Sequence, residues 1–149
     1  MTQPLRILVA EDDPNDVLLL RRAFDKTGLA SFVEFVQDGQ EAIDYLQELK
    51  SFDEGADNLM PTLLLLDLKM PRLSGFEVLE WLRQQPRFEK LLIVVFSSSD
   101  HPADRSRACA LGAHSYLVKP TDPTEFVSVV RELQQYWLRV NSTESPVSL

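Results

Sequence analysis

The stretch Leu63–Gly75, LLLLDLKMPRLSG, decides the fold, because four consecutive leucines end on the carboxylate of Asp67 and Pro71 follows four residues later. A short apolar run closed by turn-forming residues is typical of a strand that is buried on both faces of a parallel sheet. The leucines then carry an acid to the end of a buried strand, at the edge of the sheet. This pattern predicts a central strand with a functional carboxylate at its carboxyl end.

Similar apolar runs recur along the chain and alternate with amphipathic stretches of helical length. The predicted strands are Arg6–Ala10, Phe32–Val36, Leu63–Asp67, Leu92–Ser97 and Ser115–Lys119. The predicted helices are Pro14–Thr27, Gln40–Leu49, Gly75–Gln84, Ala103–Leu111 and Pro123–Val140. This alternation is typical of a doubly wound α/β fold with a five-stranded parallel sheet. We expect one domain over residues 1–140 and a polar tail over residues 141–149.

The composition disfavours several classes of protein. The 149 residues carry a net charge of −8, a poor match for nucleic acid, and no apolar run is long enough to cross a membrane.

The single cysteine, Cys109, excludes an internal disulfide, and its apolar neighbours predict that it lies in a packed helix. No export signal is visible, so we expect a cytoplasmic protein. The acids of the long loop 51–61 do not match a calcium-binding loop.

Chemically useful side chains follow four of the predicted strands. They are Glu11 and Asp12 after the first strand, Asp67 at the end of the third, Ser97 at the end of the fourth and Lys119 at the end of the fifth. The carboxyl ends of parallel strands lie along one edge, and ligands bind there where the strand order reverses. If the first and third strands are neighbours, the three acids share one pocket, flanked by the serine and the lysine.

Three carboxylates in one pocket repel each other, at a cost of about 4 kcal/mol for two charges about 4 Å apart in a surface-like dielectric. A divalent cation removes that repulsion, and Mg²⁺ commonly uses one or two carboxylates together with phosphate oxygens. Lys119 can pair with a phosphate, and the Ser97 hydroxyl can donate to one of its oxygens. Together these groups are what phosphoryl transfer onto an aspartate requires.

For single residues a plainer interpretation stays open. An acid after a strand is often only a helix N-cap, and for Asp13 this interpretation and a functional one both remain open. An aspartate at a strand end, such as Asp67, is also common in turns. The functional interpretation therefore depends on four separate strand ends supplying complementary groups.

These motifs resemble the receiver domain of two-component response regulators over nearly the whole chain. The segments ILVAEDDP, LLLLDLKMPRLSG, VVFSSSD and GAHSYLVKP stand in that family's order and at its spacings. The resemblance implies a flavodoxin-like sheet with strand order 2-1-3-4-5, in which the first and third strands are neighbours. It also implies that Asp67 accepts a phosphoryl group from a phosphohistidine on a sensor histidine kinase or a phosphotransfer protein.

The resemblance further implies a set of metal ligands. Asp12 would bind Mg²⁺ directly, Glu11 would do so through water, and Asp67 belongs to the same ligand set. The backbone carbonyl of Lys69 would complete the site. Glu11 departs from the family pattern, in which aspartate is more usual. Lys69 and Ser99 fall at variable positions that tune the lifetime of the acyl phosphate.

The resemblance also implies a conformational switch. Ser97 matches the hydroxyl that moves toward the phosphate, and Tyr116 matches the aromatic residue whose ring turns inward after phosphorylation. Lys119 matches the family's pocket lysine, with a cis peptide bond expected between Lys119 and Pro120. With Ser97 and Lys119 in catalytic roles, the chain would be a signalling receiver that catalyses phosphotransfer onto its own Asp67 and its slow hydrolysis, and not an enzyme.

The last predicted helix indicates how the signal leaves the protein. Its apolar residues cover about half of the helical wheel, more than the roughly 100° needed to contact a core. We therefore expect a single-domain regulator that signals by protein contact and forms a homodimer through its fourth and fifth helices. The expected interface residues are Phe126, Val127, Val130, Tyr136, Trp137 and Leu138. The alternative is a helix packed deeply against its neighbours.

A narrower resemblance is to the small stand-alone regulators that partner phytochrome histidine kinases. Those regulators share DLxMP, a long loop before the third strand, a run of serines or threonines and a Tyr-Trp pair near the carboxyl end, here Tyr136-Trp137. The resemblance implies a light-sensing histidine kinase as the input.

Competing functions remain. A haloacid dehalogenase-like phosphatase also uses a strand-end aspartate and Mg²⁺, but it needs a second acid two residues later, where this chain has Lys69. A phosphorylation-independent scaffold would need none of the pocket groups, all of which are present. A serine hydrolase is disfavoured because the sequence lacks G-x-S-x-G.

Overall fold

Short apolar runs form a parallel sheet of five strands in the computed structural model, which describes residues 5–49 and 60–142. The strands are β1 (Ile7–Ala10), β2 (Val33–Val36), β3 (Leu63–Leu66), β4 (Leu92–Ser97) and β5 (Ser115–Val118). They pair in the order β2-β1-β3-β4-β5. β1 and β3 are neighbours, with Ile7 opposite Leu63 and Ala10 opposite Leu66. The predicted fold class and strand order are confirmed.

Among the described residues, five α-helices connect and follow the strands: α1 (Pro14–Lys26), α2 (Gly39–Glu48), α3 (Gly75–Arg83), α4 (Pro102–Ala110) and α5 (Phe126–Ser142). Short 3-10 helices occupy Ala30–Phe32, Pro86–Phe88 and Pro123–Glu125. The last helix was expected to begin at Pro123, but Pro123–Glu125 forms a separate turn in which the Asp122 side chain accepts from the N–H of Thr124. Helix α5 also continues through Ser142, beyond the expected domain boundary at residue 140.

The sheet separates two apolar cores. Helices α1 and α5 cover one face, where Leu63 and Leu65 point, and α2, α3 and α4 cover the other, where Leu64 and Leu66 point. All four leucines are at most 1% exposed. A sheet covered on both faces explains why β3 is apolar throughout and does not alternate with polar residues.

Two local expectations are wrong. The peptide bonds of the described residues are all trans, including Lys119–Pro120, and trans is the isomer that such bonds favour intrinsically. Cys109 lies on α4 as expected, but it is exposed, because Ala108 is the residue that faces the core there.

Other expectations fall partly outside the structure. Most of the loop 51–61 and the tail beyond residue 142 lie outside the described residues. Within residues 5–49 and 60–142, none of the helices has the length and apolarity that a membrane span requires.

Candidate functional site

Backbone pairing continues past the ends of the central strands and determines where the acids lie. Asp67 donates its N–H to the carbonyl of Ala10 (3.1 Å), and Glu11 donates its N–H to the carbonyl of Val36 (3.0 Å). Both acids are almost fully buried, Glu11 with 1% and Asp67 with 6% of its surface exposed. The apolar strands therefore bring two carboxylates to one point at the carboxyl edge of the sheet.

Asp12 completes a cluster of three carboxylates. One oxygen from each of Glu11, Asp12 and Asp67 lies within 4.8 Å of the others, a spacing that a single cation can bridge. Asp12 is exposed, so the cluster opens to solvent on that side. An all-oxygen donor set suits a hard divalent cation. The structure thus brings together the three acids that the sequence places at strand ends.

The crowding of the acids changes their protonation. Burial and the charge of Asp67 raise the pKa of Glu11 to about 8, although Lys119 acts in the opposite direction. Burial also raises the pKa of Asp12, to which the charge of Asp67 adds. A cation beside these acids would favour their ionised forms. The residues present therefore fit a divalent metal site.

Lys119 reaches the cluster from the end of β5. Its backbone N–H donates to the carbonyl of Ser97 (2.8 Å), which fixes the start of its side chain beside β4. Its ammonium lies 2.7 Å from Asp16, 2.8 Å from Glu11 and 3.2 Å from Asp67. Burial acts to lower the pKa of Lys119, but the three carboxylates outweigh it and raise that pKa. The ammonium is therefore charged at neutral pH and uses all three of its protons.

Ser99 connects the two residues expected to form the switch. Its N–H donates to the hydroxyl of Ser97 (3.2 Å), and its carbonyl accepts from the hydroxyl of Tyr116 (2.7 Å). Its own hydroxyl donates to Asp104 in the first turn of α4 (2.6 Å). Ser97 is 1% exposed, whereas Tyr116 is half-buried beneath the guanidinium of Arg105, 4.8 Å from the ring centre. One residue thus contacts the buried hydroxyl, the aromatic ring and α4.

The loop after Asp67 is held by close backbone approach. The N–H of Lys69 lies 3.5 Å from the Asp67 carboxylate, and Lys69 itself is exposed. Gly75 begins α3 directly against the backbone of Asp67, since a Cβ there would lie 2.8 Å from the Cα of Leu68 and nearer still to the Asp67 carbonyl oxygen. Glycine is therefore required beneath Asp67.

The structure places most of the expected interface residues inside the protein. Four of the six are at most 7% exposed and pack in the core under α5: Phe126, Val130, Tyr136 and Trp137. Val127 is half-buried, and Leu138 is 56% exposed. The prediction that those four residues form a free surface is wrong. Helix α5 packs against both α1 and the sheet, and these two contacts together require a wide apolar arc. The dimer itself stays a prediction.

Two acids near the start of α1 have roles that the sequence left open or missed. Asp13 is the N-cap of α1 and accepts from the N–H of Asn15 (2.8 Å), as the plainer interpretation expected. Asp16 was not predicted to belong to the site, yet it is the nearest partner of Lys119. An acid in the first turn of a helix normally indicates an interaction with the helix dipole. The signal in the sequence that could have identified Asp16 was its position one helical turn beyond the strand-end acids.

Comparison with known proteins supports this arrangement. Residues 7–131 match the family model described as the response regulator receiver domain. A relative from Methanothrix harundinacea, described as probable methanogenesis regulatory protein FilR2, is 34% identical over 143 residues. The match covers 96% of this chain and 90% of that protein.

Several solved structures share the fold over their whole length. The phosphorylated cyanobacterial phytochrome response regulator RcpA matches with a TM-score of 0.80 and 26% identity, over 96% of this chain and 100% of RcpA. RPA3017, a response regulator in red light signaling of R. palustris, matches with a TM-score of 0.79 and 32% identity, over 97% of this chain and 100% of RPA3017. The Mn²⁺-bound form of response regulator Rcp1 matches with a TM-score of 0.75 and 25% identity, over 97% of this chain and 100% of Rcp1. The chain belongs to the response regulator receiver domain family.

Proposed function

We propose that this chain accepts a phosphoryl group on Asp67 from the phosphohistidine of a sensor histidine kinase and signals by protein contact. The observation that carries the proposal is the position of Asp67. Its carboxylate lies within 4.8 Å of carboxylate oxygens of Glu11 and Asp12 and 3.2 Å from the ammonium of Lys119. Acceptor, cation ligands and a positive group thus converge at one point. The match to RcpA, which is known in a phosphorylated form, supports the same chemistry.

Mg²⁺ is the cation that we propose for the acidic cluster. Asp12 and Asp67 would supply carboxylate oxygens, Glu11 would act through water, and the backbone carbonyl of Lys69 would complete the set. When bound, the ion supplies charge neutralisation for the phosphoryl oxygens. The all-oxygen donor set supports this assignment, as does the Mn²⁺-bound form of the related Rcp1.

The chain's own groups carry out the transfer. A carboxylate oxygen of Asp67 attacks phosphorus while the bond from phosphorus to the histidine nitrogen breaks, and that nitrogen keeps the bonding electron pair. An N–H of the Lys119 ammonium donates a hydrogen bond to a phosphoryl oxygen. The hydroxyl of Ser97 turns from Ser99 toward a second phosphoryl oxygen. These donors stabilise the charge that the phosphoryl group brings into the buried site.

The output begins at Ser97. A phosphoryl group adds about −1.5 to −2 charge, which attracts the Ser97 hydroxyl. When that hydroxyl turns, Ser99 loses the acceptor of its N–H (3.2 Å), while its carbonyl still holds the hydroxyl of Tyr116 (2.7 Å). A shift of Ser99 therefore moves Tyr116 and the start of α4 together. The surface around α4 and β5 is the part of the molecule that changes for a partner.

For the input we propose a light-sensing histidine kinase of the phytochrome type. RcpA is a phytochrome response regulator and RPA3017 is a response regulator in red light signaling, which supports such an input for this chain. We also propose self-association through the exposed sides of α4 and α5, where Leu138 is 56% exposed. Sedimentation velocity should show a dimer, with Leu138→Asp shifting it toward monomer. A monomer with and without phosphorylation contradicts this part.

The alternatives have less support. A haloacid dehalogenase-like phosphatase needs a second acid where this chain has the exposed Lys69, and the family match favours a receiver. A phosphorylation-independent scaffold would have no use for three crowded carboxylates, two of them buried, that raise the pKa of Glu11. Steady release of phosphate from small phosphomonoesters would favour the phosphatase.

The decisive experiment is incubation with acetyl phosphate and MgCl₂, followed by intact-mass measurement. We expect one added phosphoryl group, which is lost in Asp67→Asn and when EDTA replaces the metal. Asp100→Asn, a change of the same charge at an exposed position, is the matched control and should behave like the wild type. A wild-type protein that gains no mass, or an Asp67→Asn variant that still gains it, contradicts the proposal. Transfer from a phosphorylated phytochrome kinase then tests the partner.

A further inference from the structure

Asp16 is the closest ion-pair partner of Lys119 and comes from a different part of the chain. Its carboxylate lies 2.7 Å from the ammonium, nearer than that of Asp67 at 3.2 Å. The side chains of Lys119 and Asp16 are 9% and 17% exposed, so solvent weakens the pair far less than it weakens a surface ion pair. Asp16 is supplied by the first turn of α1, whose start the Asp13 N-cap fixes.

The three partners of Lys119 differ in their other duties. Glu11 and Asp67 both belong to the carboxylate cluster that can hold a cation, and Asp16 does not. A cation in that cluster competes with the ammonium for Glu11 and Asp67, because both carboxylates are then shared between two positive charges. Asp16 is the partner of Lys119 that this competition leaves unchanged.

Phosphorylation of Asp67 would be a second change that leaves the pairing of Lys119 with Asp16 intact. Once an oxygen of Asp67 is bonded to phosphorus, its carboxyl is an uncharged acyl group and its attraction for the ammonium falls. The N–H that Lys119 directed at Asp67 can then donate a hydrogen bond to a phosphoryl oxygen. Lys119 is a long side chain with four rotatable carbons, so it must be held by something else to stay directed at that oxygen.

We propose that Asp16 is a positioning residue that keeps the Lys119 ammonium directed at the phosphorylation site before, during and after transfer to Asp67. This inference rests on the proposed function, because it assigns Asp16 a role in that reaction. The ammonium also lies 5.8 Å from the centre of the Phe96 ring. Asp16 is not among the carboxylates of the cation cluster and pairs with Lys119, so we expect its effect to pass through the lysine.

The test compares Asp16→Asn with Asp25→Asn, an exposed acid on the same helix whose loss changes the net charge equally. With acetyl phosphate at saturating MgCl₂, the maximal rate of phosphorylation should fall about tenfold in Asp16→Asn, the size expected for losing one charge-assisted hydrogen bond in the transition state. The MgCl₂ affinity measured by calorimetry should change less than about twofold, because a group outside the cluster contributes little to binding the ion. Asp25→Asn should match the wild type in both measurements.

A second readout observes the lysine directly. In ¹⁵N-labelled protein, the ammonium protons of Lys119, assigned by their absence in Lys119→Arg, should be protected from exchange in the wild type and in Asp25→Asn. They should exchange rapidly in Asp16→Asn. Asp16→Glu restores the charge and should recover part of the protection and of the rate, and it also serves if Asp16→Asn does not fold. The proposal is overturned if Asp16→Asn leaves both the phosphorylation rate and the proton exchange unchanged. It is also overturned if Asp16→Asn loses MgCl₂ affinity by the same factor as it loses phosphorylation rate.

The two proposals fail in different ways. If the wild type accepts no phosphoryl group from acetyl phosphate, the proposed function is wrong and the rate comparison has no meaning. The ammonium measurement needs no phosphorylation and still decides whether Asp16 holds Lys119. If the wild type is phosphorylated and Asp16→Asn matches it in rate and exchange, only the role of Asp16 is wrong.

Discussion

The two edges of the same sheet are built differently. At the carboxyl edge, Glu11, Asp67 and Lys119 are buried together and depend on each other's charge. At the amino edge, the N–H of Ile93 donates to the His114 ring (3.0 Å), and the carbonyl of Ile93 accepts from the His114 N–H (2.8 Å). Neutral groups are thus enough to complete the ends of these strands. Burying charge is costly unless it is paired, so the carboxyl edge carries a cost that the fold itself does not need.

The largest expected effect breaks the pairing at the carboxyl edge. Lys119→Met leaves the buried Asp67 carboxylate without its cation, while Glu11 can keep its proton, and should lower the free energy of unfolding by an amount at the lower end of about 3–5 kcal/mol in metal-free protein. His114→Leu at the amino edge, where one hydrogen bond is lost, should cost about 1 kcal/mol. Urea unfolding at pH 8 measures both, and added MgCl₂ should recover part of the Lys119→Met loss only. Equal losses at the two edges contradict the comparison.

The next effect concerns the glycines at the two edges. Gly75→Ala places a methyl group against the backbone of Asp67 and Leu68, which cannot move aside, and should cost about 3 kcal/mol. Gly112→Ala at the amino edge has room, with the Arg83 side chain 3.8 Å away, but its φ of 111° should cost about 1–2 kcal/mol. Urea unfolding ranks the two variants. Phosphorylation should slow only in Gly75→Ala, and a slower Gly112→Ala argues against a local effect.

The pH dependence of stability should have opposite signs at the two edges. Folded Glu11 keeps its proton up to about pH 8, whereas an ordinary carboxyl loses it near 4.5, so stability should fall as pH rises between these values. Partial burial of the ring lowers the pKa of His114, although the residue as a whole is exposed. Its contribution is therefore complete above about pH 6.5 and is lost as pH falls through the lowered pKa.

Metal-free unfolding between pH 5 and 8.5 measures these slopes, neither of which should exceed about 1.4 kcal/mol per pH unit. Glu11→Gln should remove the fall toward high pH, and His114→Leu should remove the loss at low pH. A Glu11→Gln profile parallel to the wild type would mean that the crowded acids do not set this slope.

The smallest effect sharpens the comparison within the carboxyl edge. Arg72 has a φ of 67°, in the left-handed region, and its exposed guanidinium lies 3.7 Å from Asp38. Arg72→Gly relieves about 1–2 kcal/mol of backbone strain but adds about 0.5–1 kcal/mol of flexibility to the unfolded chain, so stability should rise by about 0.5 kcal/mol. Arg72→Lys keeps the strain and should show no gain in urea unfolding. A gain in both variants would assign the effect to the side chain.

The sequence was informative where local pattern and site coincide. The apolar runs located every strand to within one residue, and the acids at their ends, Glu11, Asp12 and Asp67, lie where a parallel sheet must bring them. Strand order came from the family resemblance and was confirmed by the pairing of β1 with β3. The strands depend on short-range periodicity, which a single sequence carries. The convergence of the acids at the strand ends follows from one topological rule of parallel sheets.

Contacts between distant elements were not predictable in the same way. Asp16 lies next to Lys119 only because the side chain of Lys119, 103 residues away in the chain, reaches from the end of β5 to the first turn of α1. The apolar arc of α5 suggested a free surface because its width does not reveal that α1 and the sheet both cover it. Cys109 has apolar neighbours in sequence but points outward on α4. In each case the tertiary packing, and not the residue type, decides the environment.

The central position of β3 limits where the phosphoryl group that we propose for Asp67 could change the shape of the molecule. β3 is paired with a strand on either side, its leucines are at most 1% exposed, and Gly75 presses against the backbone that carries Asp67. Interiors packed in this way resist compression, so we expect the bulk of a phosphoryl group on Asp67 to displace the loops above the sheet and not the strand beneath it. On this proposal the change is confined to the surface, because the leucines of β3 need not be repacked.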